Sequence, residues 1–185
     1  MARIRALQPE TMTAEQQAVY ETIASGPRGR VHGPLAVWLN RPQLADRAQA
    51  LGRYCRYETS LPPRLSELAI IILGRIWGAE FEWWSHKKIA LEAGVTPAVV
   101  EAIRTHAVPT FEREDEAVVY KFVTTLHDKR NIPDDLYQKA VALLGEGGVV
   151  DLVGIAGYYT LISMTIKVFE VMPPDGVALE LGDIP

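Results

Sequence analysis

Three features of the sequence predict an all-α fold, a single-domain bundle of about seven to eight helices. Apolar residues recur at intervals of three and four along most of the chain, which is the spacing of one helix face. Proline and glycine separate these stretches at positions typical of helix starts and stops. No segment alternates polar and apolar residues between hairpin turns, as a strand would.

The N-terminal part, residues 1–60, is predicted to be a helical arm and loop within the same domain. Thr13 can cap the first helix, and Gln16 completes a capping box three residues later. Residues 26–34 are rich in glycine and proline, which predicts a loop. Because this loop is long for a connector, we expect a flap over a site or an arm onto a neighbouring subunit.

A second helix is predicted from Pro42, a residue suited to the first helical turn, to about Tyr57. Four of its residues share one predicted apolar face: Leu44, Ala48, Leu51 and Cys55.

Residues 61–172 are predicted to form the helical core, and 173–185 an irregular tail. A third helix should begin near Arg64, and a fourth should follow the break at Gly78. The fourth helix runs from Phe81 to about Glu92, and the next starts at Thr96 and Pro97. Three further helices are predicted at 112–129, 134–144 and 148–170.

Composition narrows the class of protein. The chain has 185 residues, of which 48% are hydrophobic, and a formal net charge of −4. Lys and Arg are scattered rather than clustered, so we expect no nucleic-acid partner. The single cysteine, Cys55, cannot form an internal disulfide.

We expect a cytoplasmic protein that does not span a membrane. The N-terminus lacks the apolar segment of a signal peptide. The longest apolar stretch, 149–171, contains Asp151 and Lys167, and its uncharged part is shorter than the ~20 residues that a spanning helix needs. Because this last helix is apolar nearly all round, we expect it to be buried in the domain or against another subunit.

The best candidates for chemistry lie on the third and fourth helices. Glu82 and His86 are four residues apart, so they share a helix face beside Trp83. If the two helices form an antiparallel hairpin about Gly78, Glu67 and His86 differ in height by only ~4–5 Å. A carboxylate on one imidazole nitrogen would leave the other nitrogen free for acid/base work.

Structural explanations remain open for each of these residues. Glu82 and His86 form a spacing that is also common for surface ion pairs. Glu67 lies in the first turn of its helix, where an acid favours the helix dipole. A metal site is not expected, because the remaining histidines are isolated and no metal-binding motif occurs.

Four segments resemble the carboxymuconolactone decarboxylase family, which also includes the alkyl hydroperoxidase D-type proteins. They are LPPRLSELAI at 61–70, FEWWSH at 81–86, ALEAGV at 90–95 and GYYTL at 157–161. The resemblance implies an all-α homo-oligomer, often a trimer or hexamer, that acts on a small molecule.

The redox branch of that family uses a glutamate, a Cys-x-x-Cys pair and a histidine. Aligned on His86, the cysteine positions hold Ala79 and Glu82, whereas the glutamate falls on Glu67. Peroxide reduction through a thiolate and a resolving partner is therefore disfavoured.

The decarboxylase branch resembles this chain in lacking both cysteines, and it implies an enzyme without a cofactor. We expect His86 to be the proton donor or oxyanion partner and Glu67 to orient it. Glu82 is expected to be a second acid/base group or to repel the departing carboxylate. Trp83 is expected to wall the pocket, and Arg56 or Arg64 to bind a substrate carboxylate. Three functions stay open: a decarboxylase or related lactone hydrolase or isomerase, a peroxidase-like protein, and a ligand-binding protein without activity.

Overall fold

The computed structural model describes residues 3–4 and 7–182, and in this part of the chain it is all-helical, as predicted. A short 3-10 helix, Pro9–Thr11, precedes eight α-helices. They are α1 (Ala14–Ala24), α2 (Pro34–Trp38), α3 (Pro42–Tyr57), α4 (Pro63–Ile76), α5 (Glu80–Glu92), α6 (Pro97–Arg104), α7 (Glu114–Lys129) and α8 (Asp134–Phe169).

Helix α4 is the centre of the bundle. Every residue from Leu65 to Arg75 is buried, because α5, α6, α7 and α8 all pack around this helix. A helix that is enclosed on all sides is a rigid support, and α4 carries Glu67 in its second turn.

Helices α4 and α5 form the predicted antiparallel hairpin. Gly78 turns the chain with φ of +54°, a conformation that favours glycine. Gly74 then lets the two helices approach closely, since a Cβ there would lie 3.4 Å from the backbone nitrogen of Trp83. The side chains of the two helices are therefore brought within contact distance.

The N-terminal arm packs against this core. The capping box of α1 forms as predicted, with Thr13 and Gln16 exchanging hydrogen bonds. Residues 26–34 lie over the N-terminal end of α5, where Gly33 has φ of +60°. A Cβ on Gly33 would collide with the Phe81 ring, so this close approach requires glycine.

Only two of the four residues on the predicted apolar face of α3 are buried. Ala48 and Cys55 are buried, together with Ala45 and Gly52, but Leu44 and Leu51 are exposed. The small residues rather than the leucines face the domain, because α3 lies close against α8 and leaves little room. The two leucines are thus available to solvent or to a partner.

Helix α8 is long and is broken once. The predicted helices 134–144 and 148–170 form one run with non-helical backbone at Gly145 (φ 73°, ψ 164°). Among the described residues this helix is long and apolar enough to cross a membrane by length and composition, a criterion that core helices of soluble proteins also meet. Its inner side packs on α3, α4 and α7.

The outer side of α8 carries an apolar stripe. Its members are spaced by three and four residues and are at least partly exposed: Val150, Val153, Gly157, Leu161, Met164 and Val168. Helix α8 was expected to be buried on all sides, but within this chain it is buried only on the side that faces the domain.

Candidate active site

The structure brings Glu67, Glu82 and His86 together in the interior. Glu67 Oε2 lies 2.6 Å from His86 Nδ1, and Glu82 Oε1 lies 3.1 Å from His86 Nε2. All three side chains are buried. The imidazole is thus held between two carboxylates, one from each helix of the hairpin.

This arrangement sets the charge of His86. Burial alone would lower its pKa, but the charges of Glu82 and Glu67 and their hydrogen bonds raise the pKa from 6.5 to about 9. The imidazole therefore carries a proton at neutral pH. A protonated, buried imidazole is suited to act as a general acid.

A small pocket opens onto one side of this cluster. Its volume is about 40 Å³, which holds roughly three water molecules. Glu82 and His86 line it, whereas Glu67 lies behind the imidazole. The remaining lining residues come from five segments: Arg28, His32, Pro34, Leu35, Arg56, Phe81, Ser85, Tyr158, Tyr159 and Ile162.

Apart from Arg56, none of these ten side chains was predicted as a site residue, and four of the nine carry titratable groups. Arg28 and His32 come from the 26–34 loop, which thus serves as a flap over the pocket. Tyr158 and Tyr159 come from α8, and the Tyr159 ring meets the His86 ring edge-on at 5.4 Å. The loop composition marked the flap, but nothing in the local sequence indicated which of its residues reach the pocket.

Unpartnered polar atoms concentrate around this pocket. Among the described residues, eight buried side-chain atoms lack a hydrogen-bond partner. Five of them belong to the lining: Arg28 Nε and Nη2, the hydroxyls of Tyr158 and Tyr159, and Glu82 Oε1, which has no partner besides its ion pair with His86 Nε2. Since a buried polar group without a partner costs about 1–3 kcal/mol, this concentration indicates a place for a polar ligand or ordered water.

The other predicted binding residues fall in different places. Arg56 lines the pocket. Arg64 does not, because its guanidinium is held at 2.6 Å by both Asp115 and Glu116 on α7. Trp83 does not line the pocket either: it is fully buried, and its indole Nε1 donates to Glu180 in the C-terminal tail at 3.1 Å.

Comparisons with known proteins agree with this architecture. Residues 42–121 match the Carboxymuconolactone decarboxylase family. The resemblance to this family, expected from the sequence, is confirmed over these residues. The match spans α3 to the first half of α7, so it contains Glu67, Glu82 and His86. No curated protein matches the chain.

Two solved structures share the fold of this chain over almost its whole length. One is described as an alkylhydroperoxidase AhpD core, an uncharacterized peroxidase-related protein from Ralstonia eutropha JMP134, with TM-score 0.77 and 10% identity over 94% of this chain and 93% of that chain. The other is an uncharacterized peroxidase-related protein from Silicibacter sp. TM1040, with TM-score 0.75 and 12% identity over 98% and 94%. At such identities the likeness shows the fold alone.

The single thiol of the chain, Cys55, lies apart from the pocket. Cys55 is fully buried on α3, and burial followed by the charge of Asp151 raises its pKa to about 11. A thiol that is protonated at neutral pH and shielded from solvent is a weak nucleophile.

Metal binding has no obvious place in the described residues. No group of three or more His, Cys, Asp and Glu side chains there has the geometry to hold a metal ion.

Proposed function

We propose that this protein is a cofactor-independent enzyme of the decarboxylase type, acting on a small carboxylated or lactone substrate by acid/base chemistry. The observation that carries the proposal is the His86 imidazole, held between Glu67 and Glu82 at the wall of a pocket. A buried acid of this kind can deliver a proton to a carbanion.

The proposed reaction balances without an external oxidant or reductant. The bond from the substrate to its carboxylate breaks, CO₂ leaves, and the electron pair is delocalised onto a conjugated lactone carbonyl. The His86 imidazolium then gives one proton to the carbanion, and the imidazole regains a proton from solvent. The two guanidiniums at the pocket stabilise negative charge on the substrate.

The three acid/base groups have different roles in this scheme. His86 and Glu82 line the pocket and are proposed as catalytic residues. Glu82 faces Nε2 of His86, where its negative charge can repel the departing carboxylate or help to return the proton to the imidazole. Glu67 is a positioning residue, because it reaches the substrate only through Nδ1 of His86.

Peroxidase activity is the second candidate, favoured by the names of the two similar structures. The family route through two thiolates is not open to a chain with one cysteine. The burial and raised pKa of Cys55 speak against a single-thiol route. We therefore expect no consumption of an organic hydroperoxide; consumption that disappears in Cys55→Ser would favour the peroxidase.

The proposal is tested by CO₂ release from a panel of carboxylated unsaturated lactones. Wild type should release CO₂, and His86→Gln should lose at least 100-fold in kcat, the usual contribution of a general acid. His106→Asn is the matched control, because His106 is exposed and lies outside the pocket. Turnover that survives in His86→Gln, or the absence of turnover in wild type, would overturn the proposal; the latter result together with ligand binding would indicate a binding protein.

Self-association is proposed through the apolar stripe of α8. No charged side chain interrupts it between Val150 and Met164, and Val150 is 71% exposed. A second copy in antiparallel orientation, centred on Gly157, would place Val150 of one copy against Met164 of the other. Small side chains at the centre permit close packing. The opposite charges of Glu146 and Lys167 at the two ends favour that orientation.

Analytical ultracentrifugation tests this interface. The wild type should sediment as an oligomer and Val153→Glu as a monomer, because a buried charge opposes association. Lys88→Glu, an exposed change on α5, should leave the oligomer intact. A monomeric wild type, or binding of the stripe to lipid vesicles instead, would contradict the proposal.

A further inference from the structure

Arg28 separates two cavities. On one side lies the small pocket with His86, and on the other lies an outer cavity of about 220 Å³ between α1 and α3. Arg28 lines both, and two of its guanidinium nitrogens, Nε and Nη2, are buried without a hydrogen-bond partner among the described residues. A buried guanidinium in this state is poised for an anion.

Gly52 has no side chain, and this leaves the space that Arg28 and Tyr158 occupy. A Cβ at position 52 would collide with both the Tyr158 hydroxyl and the Arg28 guanidinium. The two groups therefore meet in a notch that only glycine leaves open. The Tyr158 side chain is buried, and no described residue is a hydrogen-bond partner of its hydroxyl. Burial raises the pKa of this hydroxyl, which keeps its proton and can donate a hydrogen bond.

The charge balance favours an anionic ligand. The carboxylates of Glu67 and Glu82 outnumber the His86 imidazolium by one negative charge, and the guanidiniums of Arg28 and Arg56 add two positive charges. His32 adds little, because burial and the neighbouring arginines lower its pKa below 6.5. The site therefore keeps one excess positive charge at neutral pH.

We propose that Arg28 and Tyr158, seated on Gly52, form a subsite that anchors one carboxylate of the substrate, apart from the group that reacts at His86. Tyr159 lies between the two places, with ring contacts of 5.2 Å to Tyr158 and 5.4 Å to His86. The substrate class is then a small carboxylate that carries a second, reactive group. The part of this inference that concerns the reacting group rests on the proposed function, whereas the carboxylate subsite does not.

The two anchoring side chains lie outside the segment that matches the family, although Gly52 lies within it. Arg28 precedes residues 42–121 and Tyr158 follows them, whereas Glu67, Glu82 and His86 lie within. Chemistry and substrate selection are thus supplied by different parts of the chain. Arg28 of the 26–34 flap lines both the outer cavity and the pocket that contains His86.

Binding of acetate, measured by NMR titration, tests the subsite without turnover. Acetate should bind, whereas neutral acetamide of the same shape should not. Arg28→Gln should weaken acetate at least tenfold, and Tyr158→Phe, which keeps the ring, should weaken it severalfold. Arg53→Gln is the matched control, since Arg53 lines the outer cavity and pairs with Glu58 at the surface.

The outcomes separate this inference from the proposed function. His86→Gln should lower kcat at least 100-fold and keep acetate affinity within twofold. Unchanged acetate binding in both Arg28→Gln and Tyr158→Phe would overturn the subsite and leave the acid/base proposal standing. Inorganic phosphate that binds as tightly as acetate would overturn the assignment of a carboxylate.

Discussion

Replacing Glu67 by glutamine tests how the charge of His86 is set. The amide keeps the size of the side chain and can still accept a hydrogen bond from Nδ1, so the ring keeps its orientation. What the variant removes is one of the two negative charges beside the imidazole, at 2.6 Å. The substitution therefore isolates the electrostatic contribution of Glu67.

The expected change is large enough to measure. An opposite charge at contact distance shifts a pKa by ~1–3, so we expect the pKa of His86 to fall from about 9 to roughly 6–8. The rise from 6.5 to about 9 in the wild type corresponds to about 3 kcal/mol of stabilisation. Because the folded pKa is the higher one, this stabilisation is complete below pH 6.5 and is lost as the pH rises through about 9. Because the pKa of His86 should be lower in Glu67→Gln, the free energy of unfolding of the variant should fall by less over that pH interval.

NMR titration of the histidine ring protons measures both proteins. The chain has four histidines, and the His86 resonance is assigned by its absence in His86→Gln. Glu92→Gln is the control, because Glu92 makes an exposed pair with Lys88 at 3.5 Å and should leave His86 unchanged. A His86 pKa that stays near 9 in Glu67→Gln, or lies near 6.5 in the wild type, would refute the reasoning.

Three further predictions follow from single contacts. Arg64→Ala should lower the free energy of unfolding by ~3–5 kcal/mol, because it leaves a buried acid of α7 unpaired; chemical denaturation measures this, and a loss below 1 kcal/mol would contradict it. Gly33→Ala should weaken acetate binding, because the new Cβ collides with Phe81 and displaces the flap; unchanged affinity would show that the flap tolerates the change. Turnover should fall as the pH rises through about 9, where His86 loses its proton; a pH–rate profile that stays level to pH 10 would argue against His86 as the acid.

Local sequence signals predicted most of the fold. The helix bounds, the capping box at Thr13 and the α4–α5 hairpin all depend on neighbours within a few residues or on one glycine turn. The meeting of Glu67 and His86 was also predictable, because their distances from Gly78 along two antiparallel helices are nearly equal. Spacing alone, however, did not distinguish a buried cluster from a surface pair.

The misassigned residues depend on contacts that are distant in sequence. Arg64 was a candidate for substrate binding, but its partners lie about fifty residues away on α7. Leu44 and Leu51 fit a helical apolar face, yet the close approach of α8 selects the small residues of α3 instead. Arg28 reaches the pocket only because Gly52, on another helix, leaves a notch for it. Periodicity carries no information on such pairings.

The most direct test of the central claim is proton delivery during CO₂ release in deuterated water. With a carboxylated unsaturated lactone as substrate, wild type should give a product with one solvent deuteron on a carbon of the delocalised carbanion. His86→Gln should give neither CO₂ nor deuterated product, although it still binds acetate. Equal deuterium incorporation and CO₂ release by wild type and His86→Gln would contradict the account.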